Sequence, residues 1–142
     1  METAADAAAM ARVAAQLPPY AISVGMSVAG FDADVPVLKL EFGDKVLGRP
    51  GYLHGGAIGG LLEMAAFTAL RAVLEDGGAP LRFKPVNVTV EFLRGGTEQP
   101  TYASARVTRA GRRIVNLTAE AWQDDRAKPI AVAWLNVLLR ES

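Results

Sequence analysis

The sequence predicts an α+β domain: one antiparallel sheet curling around a single long helix. Two observations predict it. Residues 55–75 are rich in Ala, Leu and Met and apolar on nearly every side until Arg71, the mark of a helix placed in a core. Four strand-like stretches follow, separated only by short connectors, and short connectors join antiparallel neighbours. Helix first and strands after is the segregated order of an α+β domain. The chain has 142 residues, the size of one domain. Residues 1–142 are therefore read as one unit, with no internal repeat or linker.

The elements follow in order. Residues 2–17 are alanine-rich and read as a short helix stopped by Pro18 and Pro19. Residues 35–42, "VPVLKLEF", alternate with a period near two and read as a strand. The stretch before them leaves room for one more. "GDKVLGRPGYL", with Gly43, Gly48, Pro50 and Gly51, is a loop. The long helix is ended by "EDGGAP". Residues 86–94, "VNVTVEFLR", alternate cleanly, as do residues 101–109, "TYASARVTR". Residues 113–122 put Val115, Leu117, Ala119 and Ala121 on one face and Asn116, Thr118 and Glu120 on the other. Residues 129–139, "PIAVAWLNVLL", form a last, more buried strand.

Composition narrows the function. Fifteen basic residues balance fifteen acidic ones, which gives no reason to expect nucleic acid or an anionic membrane as partner. There is no cysteine, so disulfides and thiol catalysis are excluded. One histidine without cysteine makes a zinc site unexpected, and no metal or cofactor is called for. The N-terminus lacks the basic start and leucine-rich core of a secretory signal. The longest apolar stretch outside it, about residues 57–70, is interrupted by Glu63 and reads as too short to span a bilayer. A cytoplasmic protein is expected.

Two motif readings fail. "GMSVA" at residues 25–29 lacks the last glycine of a nucleophile elbow, and no helix pattern follows it. "GGAIGG" lacks the lysine of a phosphate-binding loop and the glycine spacing of a dinucleotide fingerprint. Gly55, Gly56, Gly59 and Gly60 sit at helical spacing, which would let another backbone approach closely.

Glu63 is the residue that calls for chemistry. It stands in the middle of "HGGAIGGLLEMAA" with no lysine or arginine within seven positions. Burying an unpaired carboxylate costs several kcal/mol or raises its pKa. The bland explanation is a salt bridge to a distant arginine, or a face turned to solvent. The functional one is a general base or nucleophile in an apolar pocket. His54 stands just before the helix, either as a structural residue bonded to backbone or as a catalytic one. The first amides of the helix, Gly55 and Gly56, lack internal partners and carry the positive end of the dipole. They could hold an oxyanion. A carboxylate and an oxyanion hole suffice for acyl transfer to water.

His54-Gly55-Gly56 with an acid nine residues after the histidine resembles the signature of hotdog-fold thioesterases, of the PaaI-like and 4-hydroxybenzoyl-CoA thioesterase type. The resemblance extends over most of the chain, through "LPPYAISVGMSV", "VNVTVEFLRG" and the closing "AGRRIVNLTAEAWQDDRAKPIAVAWLNVLL". It implies a sheet wrapped around the 55–75 helix and hydrolysis of an acyl-CoA thioester. Glu63 would be nucleophile or base, and the Gly55 amide would polarise the carbonyl. It also implies a homodimer with shared sites, often doubled to a tetramer. Two positions depart from the pattern. The family often has Asn or Gln six residues before the histidine, where Gly48 stands, and Ser or Thr one turn after the acid, where Phe67 stands. Arg94, Arg112 and Arg113, at strand ends, are the candidates for the CoA phosphates, since arginine's rigid fork suits phosphate. Two alternatives stay open: a hotdog dehydratase or hydratase using His54 and Glu63, and a non-catalytic acyl-CoA-binding module.

Overall fold

The computed structural model describes residues 3–74 and 82–140. Helix α1 spans Ala4–Ala15, inside the expected 2–17; residue 2 lies outside the described residues. Thr3 and Asp6 close its N-terminus reciprocally. The Asp6 amide donates to the Thr3 hydroxyl, and the Thr3 amide donates to the Asp6 carboxylate, both at 3.1 Å. No residue of α1 is buried, so the helix lies on the surface. Pro19 does not simply end a helix. It begins a second short one, α2, over Pro19–Ser23, because proline fits the first helical position, where no amide partner is needed.

Strands β1 (Met26–Asp32) and β2 (Val35–Leu40) pair as a hairpin. A register shift at Gly30, where φ is +158°, marks the bulge. The loop that follows contains a single 3-10 turn, Asp44–Val46. Helix α3 runs Gly55–Leu74; its terminator, residues 75–80, lies outside the described residues. Strands β3 (Arg82–Phe92), β4 (Thr101–Ala110), β5 (Ile114–Trp122) and β6 (Ala131–Arg140) complete the chain. β3 begins four residues before the expected 86. A proline in a strand argues against a central position, but Pro85 is tolerated because β3 is an edge strand with a bulge between Pro85 and Asn87.

The six strands form one antiparallel sheet in the order β1-β2-β4-β5-β6-β3. Its inner face is made by Leu38 and Leu40, Ala103 and Ala105, Val115, Leu117 and Ala119, and Ala133, Leu135 and Val137, all buried. The small alanines let α3 sit close. Ten residues of α3, among them Leu61, Leu62, Ala65, Ala66 and Leu70, are buried against β2, β4, β5 and β6. This corrects the expectation about length. With twenty residues, α3 is long and apolar enough to cross a membrane by length and composition. What occupies its apolar surface is the sheet.

On the outer face three asparagines link neighbouring strands. Asn116 of β5 donates to Asn136 of β6, which donates at 2.8 Å to Asn87 of β3.

Candidate active site

The loop ahead of α3 is pinned by backbone bonds. The Gly48 amide donates to the Tyr52 carbonyl at 2.9 Å, Leu53 to Gly96 at 2.9 Å, and His54 to Val46 at 2.8 Å. The loop delivers His54 to the helix start, where the His54 carbonyl accepts from Ala57 and Ile58. The imidazole Nδ1 accepts from the Gly56 amide at 2.9 Å. A ring nitrogen that accepts carries no proton, so in the neutral ring the proton sits on Nε2. His54 thus makes the backbone bond of the structural reading. The Gly56 amide, expected to bind substrate, is instead engaged by His54. The Gly55 amide has no hydrogen-bond partner among the described residues and lies at the positive end of a twenty-residue helix.

Glu63 lies two turns further on, half-buried, beside a cavity of ≈ 770 Å³. Along one wall α3 contributes Gly56, Gly59, Gly60, Glu63, Met64 and Phe67; β3 contributes Phe83, Val88 and Val90; Tyr20 of α2 closes a third side. At the far end the Phe67 and Phe83 rings pack 5.2 Å apart, and the Arg71 guanidinium lies 4.8 Å over Phe83. Glu63 makes neither a hydrogen bond nor an ion pair with any described residue, so no salt bridge explains it. The small helix residues make room for side chains rather than for another backbone. A Cβ at Gly55 would touch the Phe92 ring at 3.5 Å, one at Gly59 would meet Val90 at 3.9 Å, and one at Gly60 would collide with the Tyr20 ring.

The chain thus holds a carboxylate without a partner in an apolar cavity and, about two turns away, a free helix-start amide of the kind that can stabilise an oxyanion. The model of the acyl-CoA thioesterase N-terminal domain family matches residues 47–136, which includes both the amide and the acid. This chain belongs to the hotdog-fold acyl-CoA thioesterase family. Among solved structures, a Chromobacterium violaceum protein is 36% identical over 96% of this chain and 93% of its own, with a TM-score of 0.72. A Haemophilus influenzae thioesterase has a TM-score of 0.81 at 18% identity, covering 93% of this chain and 90% of its own. A Bacillus halodurans protein solved with CoA has a TM-score of 0.65 at 17% identity, covering 73% and 66%. None of the curated proteins compared with the chain matches it. Members of this family cleave acyl-CoA thioesters, and the chain is read as a thioesterase.

The thioesterase separates its three candidate phosphate ligands. The Arg94 amide donates to Ile130 at 3.2 Å, and Ile130 donates to Ala121, so Arg94 sits at the end of the sheet nearest Gly55. Arg113 accepts from Leu139 at 2.6 Å, and with Arg112 it lies in the β4–β5 turn at the opposite end. The length of β5 between them is about 26 Å at 3.3 Å per residue. One chain cannot bring all three to one nucleotide. Gly48 also has a structural reason: a Cβ there would come within 3.0 Å of His54 Cα, so a larger residue would push the loop off the helix start.

A second concavity, on the outer face, is a structural joint. Arg126 bridges Asp32 and Glu120, each at 2.8 Å, and stacks 4.4 Å over Trp122. Burial opposes its charge, but the hydrogen bonds and attraction of Glu120 and Asp32 prevail and hold its pKa up. Among the described residues, no cluster of His, Asp and Glu is placed to hold a metal ion. Tyr20 is the cavity residue that sequence reading missed; its one signal was Gly60.

Proposed function

We propose that this thioesterase hydrolyses an acyl-CoA to the free acid and CoA, with Glu63 driving attack on the thioester carbonyl. Glu63 either takes a proton from the attacking water or attacks the carbon itself. The Gly55 amide stabilises the developing oxyanion, the C–S bond breaks, and the CoA sulfur leaves to be protonated; where Glu63 is the nucleophile, water then hydrolyses the acyl–Glu63 anhydride to the free acid and restores the carboxylate. The observation that carries this reading is the unpartnered Glu63 carboxylate in an apolar cavity. An acyl group fits that cavity's walls. The test is Glu63→Gln, assayed for free CoA release over short, long and aromatic acyl-CoAs. Its rate should fall by roughly two or more orders of magnitude, as for a positioned base, with the fold intact. Parental rates in Glu63→Gln would overturn the assignment.

Assembly follows from helix geometry. Gly55 and Glu63 are eight residues apart, about 12 Å of rise and about 80° of rotation, too far for one carbonyl to touch both. A two-fold dimer resolves this by setting the helix start of one subunit against Glu63 of the other, giving two shared sites. The natural joint is β3, an edge strand of eleven residues whose Val86 and Phe92 are 58% and 55% exposed. Antiparallel pairing of two β3 strands would also bring Arg94 to the same end as Arg112 and Arg113 of the partner subunit, where they could share the CoA phosphates. A dimer of dimers is compatible with the exposed Trp134 and Ile114 of the outer face. The test is complementation. Glu63→Ala mixed with Gly55→Pro should regain up to about half the activity per heterodimer. Inactive heterodimers would refute the shared site.

A hydratase using His54 and Glu63 fits less well, because the His54 Nδ1 is engaged by the Gly56 amide. A binding module would show saturable acyl-CoA binding without turnover.

A further inference from the structure

Gly60 stands one turn before Glu63, on the same face of α3. A Cβ there would lie 2.8 Å from Cε2 and 2.9 Å from Cζ of Tyr20, with the hydroxyl oxygen closer still. The Tyr20 ring therefore rests on the bare backbone of α3, its hydroxyl end over Gly60. Its position is fixed from outside the helix. Ala21 is fully buried, and the Ser23 hydroxyl donates to the Tyr20 carbonyl at 2.7 Å. The ring is 43% exposed, and its hydroxyl has no hydrogen-bond partner among the described residues.

Cβ positions at i and i+3 of a helix are about 5–6 Å apart, and a glutamate carboxylate extends roughly 3–4 Å beyond its Cβ by ordinary bond lengths. The Tyr20 hydroxyl makes no direct bond to Glu63, but on this geometry it lies within one-water reach of the carboxylate. Few other groups on the cavity wall can serve. Met64, Phe67, Phe83, Val88 and Val90 carry no donor, and the Thr68 hydroxyl is spent on the Ala65 carbonyl at 3.0 Å. Gln16 and Arg71 each have another interaction. The titratable groups facing Glu63 across this cavity are Tyr20 and Arg71; β3 presents only apolar side chains to it.

We infer that Tyr20 is the positioning residue for Glu63: its hydroxyl donates to a water that bridges to the carboxylate and so aims the carboxylate at the thioester carbonyl. This rests on the reading of Glu63 as the catalytic acid-base group. Gly60 is then a functional requirement, because it leaves the space the phenol occupies.

The experiment uses the full chain and whichever of acetyl-, hexanoyl-, palmitoyl- or benzoyl-CoA it hydrolyses fastest. Tyr20→Phe should lower kcat about tenfold or more, the scale of a hydrogen bond to a charged group. KM should stay within about twofold and melting should be unchanged, a split that a merely structural role would not produce. Gly60→Ala should lose a similar factor by displacing the ring. Gly60→Ala added to Tyr20→Ala should cost nothing more, since the ring is already gone. Parental kcat in Tyr20→Phe overturns the inference. So does an additive loss in the double variant. If Glu63→Gln is inactive while Tyr20→Phe is parental, only this inference fails. If Glu63→Gln is active, the reading beneath it fails.

Discussion

Leu117 and Val88 stand on either side of the same residue. Both pair with Leu135 of β6, one from β5 and one from β3, and both face inward. Leu117 and Leu135 are 1% exposed, whereas Val88 is 36% exposed. The same contrast runs along the strands: Ala121 and Phe92 flank Ala131, the first buried and the second open. Alternation fixes which way a side chain points. It does not fix what lies above it. α3 covers β5 and stops short of β3, and the space left between them is the cavity beside Glu63. The half of the sheet that is complete gives stability, and the half that is incomplete leaves room for the proposed site.

That contrast can be broken experimentally. Leu117→Ala should destabilise the fold by about 2–5 kcal/mol, the cost of a cavity in a packed core, read from the denaturant midpoint, with assembly unchanged. Val88→Arg should do the converse. Sedimentation should show the dimer falling to monomers, and hydrolysis should drop roughly a hundredfold for want of the second subunit's oxyanion donor. Melting of the monomer should show an intact fold. A dimeric, active Val88→Arg would mean that β3 is not the joint.

Smaller effects sharpen the same division. Arg126→Ala, on the outer face and far from the cavity, should cost about 1 kcal/mol, because its partners are solvent-screened, and should leave turnover alone. At α1 the hydrogen bonds from the Thr3 amide and hydroxyl hold the Asp6 carboxyl below its ordinary pKa. A depressed carboxylate stabilises above its unfolded pKa and loses that support as the pH falls through the folded one. α1 should therefore fray first in acid, seen as a small loss of helical circular dichroism. Thr3→Ala, which removes the hydroxyl bond but keeps the larger one from the backbone amide, should weaken that pH dependence.

The elements that packing made regular were legible. β5 and β6 alternate because each has one face on α3, and α3 is apolar because most of it is enclosed. Three features were obscured by local chemistry. β3 begins before Pro85, a residue that ordinarily argues against a strand but is tolerated at an edge beside a bulge. α2 begins at Pro19, where the same ring that ends one helix can start another. β1 carries Gly30, which interrupts its alternation. Of the proposed site, His54, Gly55 and Glu63 could be read together because they lie on one helix and its entry. Tyr20 could not, since the fold alone lays its ring against Gly60. The separation of Arg94 from Arg112 and Arg113 could have been counted: one antiparallel strand, β4, carries the chain from the first to the other two.

The asparagine bridge on the outer face bears on how an exposed edge stays useful. A strand can slide by one residue, and each such step turns its inward side chains outward. β3 has a bulge between Pro85 and Asn87, the kind of place where sliding could start. Asn87 is tied through Asn136 to Asn116 just past that point, and a slip of one residue would carry its amide to the opposite side of the strand and break the link. The bridge acts as a ratchet pawl. It lets β3 present its free amides and carbonyls at fixed heights, so that whatever strand comes alongside meets one alignment.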